Sequence, residues 1–166
     1  GSLTDEKLKK KEMKMKRLMQ VASFLILPFI VEASETVKLK GYLGERLDAM
    51  IEKSVVGTDV DYLTVQFSAD ADTGHWWQTE FWGKWMHSSV PYASYVRSPR
   101  LNASIERSVS DIISYQRPSG YIGNYRDKAR CGYGWDVWGM KYTMMGLMFY
   151  ADAAKDPEKK KKALEA

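Results

Sequence analysis

The sequence predicts an all-α protein built from helical hairpins. Apolar residues recur at the three- and four-residue spacing of a helix face over several long segments. Proline and glycine separate these segments, and none alternates apolar and polar residues convincingly, although residues 121–125 have weak β character. A chain of 166 residues is expected to form one domain or part of one.

The first two helices are recognised by their apolar stripes. Residues 41–56 have the periodicity of one helix, which Gly57 ends, and residues 58–67 form a connection that contains a short helical turn. The predicted face of the first helix consists of Leu43, Leu47, Met50, Ile51 and Val55. A second helix covers residues 77–95, and Pro91 is expected to kink it. Its predicted stripe consists of Trp77, Phe81, Trp85, Ser88 and Tyr92.

Clearer boundary signals mark the later helices. Ser98 is an N-cap residue followed by Pro99 at the first helical position, and the helix they open ends before Pro118. Residues 120–134 form a long loop rich in glycine, tyrosine and charge, which favours a functional role. A helix from residue 135 or 136 to about residue 154 is apolar on most sides, so we expect it to be central. Residues 156–158 start a further helix. The predicted face of the helix after Ser98 consists of Leu101, Ile105, Val109, Ile112, Ile113 and Gln116.

The N-terminal region has the pattern of a targeting sequence. Gly1 and Ser2 are typical of an expression tag, so residues 1–12 are interpreted as a vector-derived or upstream segment. Residues 13–34 combine a basic start, an apolar run at 18–31 and small residues after it, as in a secretory signal peptide. The pattern predicts export, with membrane contact only through this segment. A buried N-terminal helix is the alternative.

Charge and cysteine content argue against several function classes. The formal charge is +4, and most of the excess lies in two basic runs near the ends, so nucleic-acid binding is not expected. Cys131 is the single cysteine, which excludes an intrachain disulfide and a Cys-rich zinc site. His75 and His87 do not have the spacing of a helical metal pair, so no metal site is predicted in this chain. Cys131 is not expected to be a nucleophile, because no histidine lies near it in sequence.

The tryptophans supply the main functional signal. All six lie in two blocks, residues 76–85 and 135–138, and each block has a carboxylate among its rings and a lysine within it or just after it. Sugar rings have apolar C–H faces and a rim of hydroxyls, so aromatic rings beside carboxylates and donors suit a carbohydrate ligand. The predicted substrate-binding residues are Trp77, Gln78, Glu80, Trp135, Asp136 and Lys141.

Each block also has a purely structural interpretation. The first block can be core tryptophans plus a surface ion pair between Glu80 and Lys84. Asp136 can be a helix N-cap. Lys141 lies in an apolar run, so its ammonium group must extend to solvent, pair with a carboxylate such as Glu80, or face a cavity. Glycoside cleavage uses two carboxyl groups, and the spacing of Glu80, Asp127 and Asp136 singles out no pair, so no catalytic residue is assigned.

Four strings of residues resemble the β-L-arabinofuranosidase family of glycoside hydrolases. They are GYLGERLD at 41–48, QTEFWGKW at 78–85, GYIGNY at 120–125 and WDVWGMKY at 135–142. The resemblance implies that residues 41–166 are the N-terminal portion of an (α/α)6 toroid, in which paired helices surround a central sugar pocket. It also implies activity on L-arabinofuranosides or related plant glycans.

The resemblance implies zinc in the full-length family, with ligands downstream of the matched region and therefore no cofactor in this chain. Characterised members use a zinc-held cysteine nucleophile with a glutamate nearby, and Cys131 does not match that motif. Lys141 stands where many relatives have a histidine that lines the sugar pocket. This departure leaves the substrate, and even the reaction, open.

Three functions are therefore considered. The first is the N-terminal part of an exported glycoside hydrolase, which is expected to be inactive without the downstream chain. The second is a non-catalytic helical module for carbohydrate binding or interaction; an isolated set of such helices would expose apolar faces and self-associate. The third is another α/α-toroid activity, such as a polysaccharide lyase or a sugar epimerase.

Overall fold

The computed structural model describes residues 37–70, 76–132 and 134–166. The predicted segments 1–12 and 13–34 lie outside the described residues. Within the described ranges the chain is helical and contains no strand, which confirms the all-α prediction. None of the described helices is long and apolar enough to cross a bilayer. The helices are α1 Gly41–Ile51, α2 Val60–Val65, α3 Thr79–Val96, α4 Pro99–Ser114, α5 Asp136–Ala153 and α6 Pro157–Glu165.

Short irregular turns extend some of these helices. A π-helical turn at Glu52–Val56 continues α1, and a 3-10 turn at Gln66–Ser68 continues α2. A further 3-10 turn at Asp127–Ala129 lies in the loop before α5. The segment predicted as a connection at residues 58–67 is thus mostly helical.

Local capping explains where three of the helices begin. The Ser98 hydroxyl accepts a hydrogen bond from the Leu101 amide at 3.2 Å, with Pro99 at the first position of α4, which confirms the predicted cap. Asp156 caps α6 in the same way through the Glu158 amide at 2.9 Å. The Asp59 carboxylate caps α2 at 3.2 Å. This last cap was missed because α2 is only six residues long.

The main core lies where α3, α4 and the end of α1 meet. The predicted apolar face of α4 is confirmed, since Leu101, Ile105, Val109 and Ile112 are all buried. The predicted face of α1 is only half right. Ile51 and Val55 are buried, but Met50 is exposed and Leu43 near the start is 67% exposed, because the contacts of this region with α3 and α4 are made by the π-helical turn.

The predicted apolar stripe of α3 does not coincide with the face of the helix that is buried. Phe81 and Ser88 are exposed, whereas Trp82, Met86 and Ser89 are buried. The helix packs on two sides, against α2 and α4 on one and against α5 on the other, so a single apolar stripe does not describe it. Pro91 lies inside α3, which continues to Val96.

The most extensive helix pairing in the described residues joins α3 and α5. Glycines make the close approach possible: a Cβ on Gly83 would overlap the Tyr142 carbonyl, and a Cβ on Gly146 would lie 2.7 Å from the Trp82 ring. A Cβ on Gly139 would overlap the Thr79 side chain. Residue numbers rise together along these contacts, so α3 and α5 run parallel, with α4 returning the chain between them.

Helix α5 is not surrounded on all sides, as its predicted central position would require, because one of its sides is exposed. Its buried seam uses mainly small residues, including Gly139, Thr143 and Gly146. Two of its methionines, Met144 and Met148, are more than half exposed within the described part of the chain. The apolar composition of α5 therefore exceeds what its packing against α3 and α6 requires.

Candidate functional site

A buried phenol joins the starts of the two tryptophan blocks. The side chain of Tyr125 is fully buried, and its hydroxyl oxygen accepts hydrogen bonds from two backbone amides, Trp76 at 3.2 Å and Trp135 at 3.3 Å. The Asn124 side-chain amide donates to the Trp76 carbonyl at 3.4 Å. The segment 120–125 thus fixes the two blocks relative to each other. Its position between them in the sequence does not predict these contacts.

Asp136 anchors this loop to the start of α5. Its carboxylate accepts hydrogen bonds from the Tyr121 hydroxyl at 2.6 Å and the Cys131 backbone amide at 2.9 Å, and the residue is buried. It occupies the first position of α5, and Trp135 is the N-cap residue, without a side-chain cap bond. The N-cap interpretation of Asp136 is therefore wrong, and its oxygens already hold the loop.

Tyr121 is the centre of that anchor. Its hydroxyl donates to Asp136 and accepts from the Tyr125 amide at 3.1 Å, while the Arg130 guanidinium lies 3.7 Å from its ring centroid. Burial, followed by the hydrogen bond to Asp136, raises the pKa of the Tyr121 phenol well above its usual value. The neutral phenol is thus the form that holds the loop.

The two blocks meet again at the side chain of Glu80. Its carboxylate pairs with the Lys84 ammonium group at 3.0 Å and accepts a hydrogen bond from the Trp138 indole N–H. The Glu80 side chain is only 11% exposed. This confirms the predicted pairing of Glu80 with Lys84, but the carboxylate is shielded rather than solvated. We call Glu80, Lys84, Trp138, Lys141 and Tyr142 the aromatic surface.

Lys141 reaches its environment through aromatic rings. Its ammonium group lies 3.7 Å from the Trp138 ring centroid and 4.1 Å from that of Tyr142. The two rings are themselves arranged edge to face at 5.3 Å. Such cation–π contacts stabilise a lysine at an exposed position by about 0.5–1 kcal/mol. Among the alternatives for Lys141, extension along neighbouring aromatic side chains is therefore the observed one, and the lysine that pairs with the Glu80 carboxylate is Lys84.

The six tryptophans divide into two classes. Trp82 and Trp85 are buried in the core. The other four are between 40% and 43% exposed, and they lie at or just before the N-terminal ends of α3 and α5. Two of these, Trp135 and Trp138, contact each other edge to face at 6.2 Å. The exposed four are Trp76, Trp77, Trp135 and Trp138.

Gln78 lies between these two classes. It is partly buried directly before α3, and its side-chain oxygen is buried with no hydrogen-bond partner in the described part of the chain. The indole N–H of Trp82, one helical turn further along, is also buried without such a partner. These two polar atoms are the least satisfied groups in this part of α3.

The carboxylates that could take part in catalysis are all engaged. Glu80 and Asp136 have the partners described above, and Asp127 pairs with Arg130 at 2.7 Å while remaining exposed. Among residues 37–70, 76–132 and 134–166, no three histidine, cysteine or acidic side chains are placed to hold a metal ion. Cys131 is exposed, and His75 lies outside the described residues.

Sequence reasoning missed several residues of this region. Lys84 was considered only as a surface partner, and Trp138, Tyr142, Tyr121 and Tyr125 were not among the predicted site residues. The signal for Tyr142 was its position four residues after Trp138, since residues at this spacing lie side by side on a helix. The contacts of Tyr121 and Tyr125 join distant parts of the chain, and no local pattern predicts them.

The comparisons with known proteins identify no relative of this chain. No protein-family model, curated protein or solved structure matches the chain. The similarity to β-L-arabinofuranosidases therefore rests on the four sequence strings and stays a prediction.

Proposed function

We propose that the chain binds saccharides through the aromatic surface, as part of a glycoside hydrolase that acts on L-arabinofuranosides or related plant glycans. The observation that supports binding is the shielded carboxylate of Glu80, held between Lys84 and the Trp138 indole. Fixed acceptors and donors beside exposed aromatic faces are the combination that a neutral sugar needs, because its hydroxyls require partners while its C–H faces favour apolar contact.

The helix arrangement supports the finer fold proposal. Two parallel helices, with the intervening helix returning the chain, are the relation expected of neighbouring inner helices in an (α/α)6 toroid. We propose that α3 and α5 are such a pair. In a toroid the exposed side of α5, which includes Val137, Met144 and Met148, would be covered by another helix. Alternatively, this exposed side of α5 is covered by a second copy of the chain, and sedimentation velocity tests such self-association directly.

The chemistry proposed for this chain is limited to binding and orientation. Zinc belongs to the proposal only through the family resemblance, and the described residues offer no three-ligand cluster for it. No catalytic step is therefore assigned to Glu80, Asp136 or Cys131. Export of the protein is proposed from the pattern of residues 13–34 alone.

A non-catalytic carbohydrate-binding module is the second candidate. The engagement of all three candidate carboxylates favours it, since a general acid or nucleophile must reach the glycosidic bond. Because the hydrolase proposal expects no activity without the downstream chain, the two candidates are separated by incubating the protein from the full-length reading frame with an aryl L-arabinofuranoside. Release of the aryl group that a zinc chelator abolishes would support the hydrolase, whereas saturable binding without release would support the module.

Binding itself is tested by titrating the chain with methyl β-L-arabinofuranoside and following tryptophan fluorescence. We expect saturation, and we expect Glu80→Gln to weaken binding at least about 10-fold, because a hydrogen bond to a charged group contributes roughly 1.5–3 kcal/mol. Glu165→Gln is the matched control, since Glu165 also pairs with a lysine four residues away on a helix, Lys161 at 3.9 Å. Equal affinity of the two variants, or no saturation in the wild type, would contradict the proposal.

A further inference from the structure

We propose that the aromatic surface continues into a second sugar subsite at the C-terminal halves of α3 and α5, so that the ligand is a neutral oligosaccharide rather than a single sugar. This inference rests on the proposed function. It concerns a groove whose lining includes none of the substrate-binding residues predicted from the sequence.

The groove is an open hollow between the two parallel helices. Its volume is about 420 Å³, and it is shallow and widely open to solvent. The rings of His87 and Phe149 stack inside it, with centroids 4.8 Å apart and planes inclined by 9°. One ring comes from each helix, and because they are stacked, each ring covers one face of the other and leaves its opposite face free. The lining residues are His87, Val90, Pro91, Ser94, Phe149, Asp152 and Ala153.

The groove and the aromatic surface lie in line on the same side of the helix pair. On α3, Lys84 and His87 follow Glu80 by four and seven residues, a spacing that keeps them on one face. On α5, Phe149 follows Tyr142 by seven residues and Trp138 by eleven. The helical rise places His87 about 10 Å along the axis from Glu80. A single furanose ring does not span this distance, whereas a linear oligosaccharide does.

The chemistry of the groove favours a neutral sugar over other ligands. The outer face of the stacked ring pair can accept a C–H face, and the side chains of Ser94, His87 and Asp152 provide hydroxyl partners beside it. The residues that line the groove include the carboxylate of Asp152 and no lysine or arginine. An anionic saccharide is therefore disfavoured at this end.

The test compares one sugar with a chain of the same sugar. We expect a linear L-arabinofuranosyl oligosaccharide to bind the wild type about 10-fold more tightly than methyl β-L-arabinofuranoside. Phe149→Leu and His87→Ala should each reduce oligosaccharide affinity about 3- to 10-fold, the value of one aromatic contact, and leave monosaccharide affinity within about 2-fold. Met148→Leu, which changes a neighbouring exposed residue outside the groove, is the control and should leave both affinities unchanged.

Two results would overturn the subsite while leaving the proposed function intact. One is equal affinity for the two ligands in the wild type. The other is a concentration-dependent self-association that Phe149→Leu abolishes, because it would assign the groove to a second copy of the chain. Failure of the monosaccharide to bind at all would instead contradict the proposed function, and the subsite with it.

Discussion

Trp82 and Trp138 both lie in the first turn of a helix, in two helices that run parallel, yet one belongs to the core and the other to the surface. Trp82 is fully buried, with its ring against Gly146 and at an edge-to-face distance of 6.3 Å from Phe67. Trp138 is 41% exposed and donates its indole N–H to Glu80. The contrast teaches that the tryptophan content of this chain has two causes: a core that joins helices and a surface available to a ligand.

Removing the buried ring should have the largest effect on stability. Trp82→Ala should lower the free energy of unfolding by about 3–5 kcal/mol, because it leaves a large cavity between α3 and α5. Trp135→Ala, at an exposed ring, should lower it by less than about 1 kcal/mol. Urea denaturation followed by circular dichroism measures both. Similar losses in the two variants would remove the distinction between core and surface.

A methyl group in the seam between α3 and α5 should have the next largest effect. Gly83→Ala should destabilise the protein by about 1–3 kcal/mol, since its Cβ would overlap the Tyr142 carbonyl and backbone cannot move aside cheaply. Gly132→Ala is the matched control, because the nearest atom to its Cβ is 3.8 Å away and the residue is exposed. The same denaturation experiment applies, and an unchanged Gly83→Ala would contradict the close parallel approach.

Loss of the Tyr125 hydroxyl should have a similar effect on stability and, in addition, a visible one on binding. Tyr125→Phe leaves the Trp76 and Trp135 amides without their acceptor, at a cost of about 1–3 kcal/mol. Because this hydroxyl holds both tryptophan blocks, sugar affinity should fall although the residue itself is buried. Calorimetric titration with methyl β-L-arabinofuranoside measures the affinity. Full affinity in a folded Tyr125→Phe variant would show that the blocks keep their relative position without it.

The smallest predicted effect appears only at alkaline pH. The pKa of Tyr121 is raised above 10.0 by burial and then by its hydrogen bond to Asp136. A raised pKa means that the stabilisation is complete below pH 10 and is lost as the pH rises further. The free energy of unfolding should therefore fall more steeply above pH 10 in the wild type than in Tyr121→Phe. Equal slopes of unfolding free energy against pH in the two proteins would contradict the role of the neutral Tyr121 phenol. Burial also raises the pKa of Tyr150, but this residue is present in both proteins and does not affect the comparison.

Much of the fold could be predicted from local signals. Ser98, Pro99 and Asp156 mark helix starts because capping and proline geometry act within a few residues. The face of α4 was predicted correctly because this helix is apolar on one side only. The stripe of α3 was not, since its contact with α5 depends on Gly83 and its partners, and a missing side chain leaves no trace in an apolar pattern.

The candidate site was predictable only in outline. The composition of the two tryptophan blocks indicated the region, and the spacing of Glu80 and Lys84 indicated their ion pair. The engagement of Asp136 by Tyr121 could not be foreseen, because it depends on how a long loop folds back on the start of α5. The contact of Lys141 with Trp138, three residues earlier, was foreseeable from helical spacing, whereas its contact with the adjacent Tyr142 was not.

The most direct test of saccharide binding at the aromatic surface is an NMR titration that follows the indole N–H signals, assigned by Trp→Phe variants. Two of these groups make a matched pair: Trp138 donates to Glu80 at the surface, and Trp85 donates to the Val55 carbonyl in the core at 3.0 Å. With methyl β-L-arabinofuranoside, we expect the Trp138 signal to shift with saturation and the Trp85 signal to stay in place. A saturable shift of Trp85 alone, or no shift of Trp138 up to the highest soluble ligand concentration, would contradict this account.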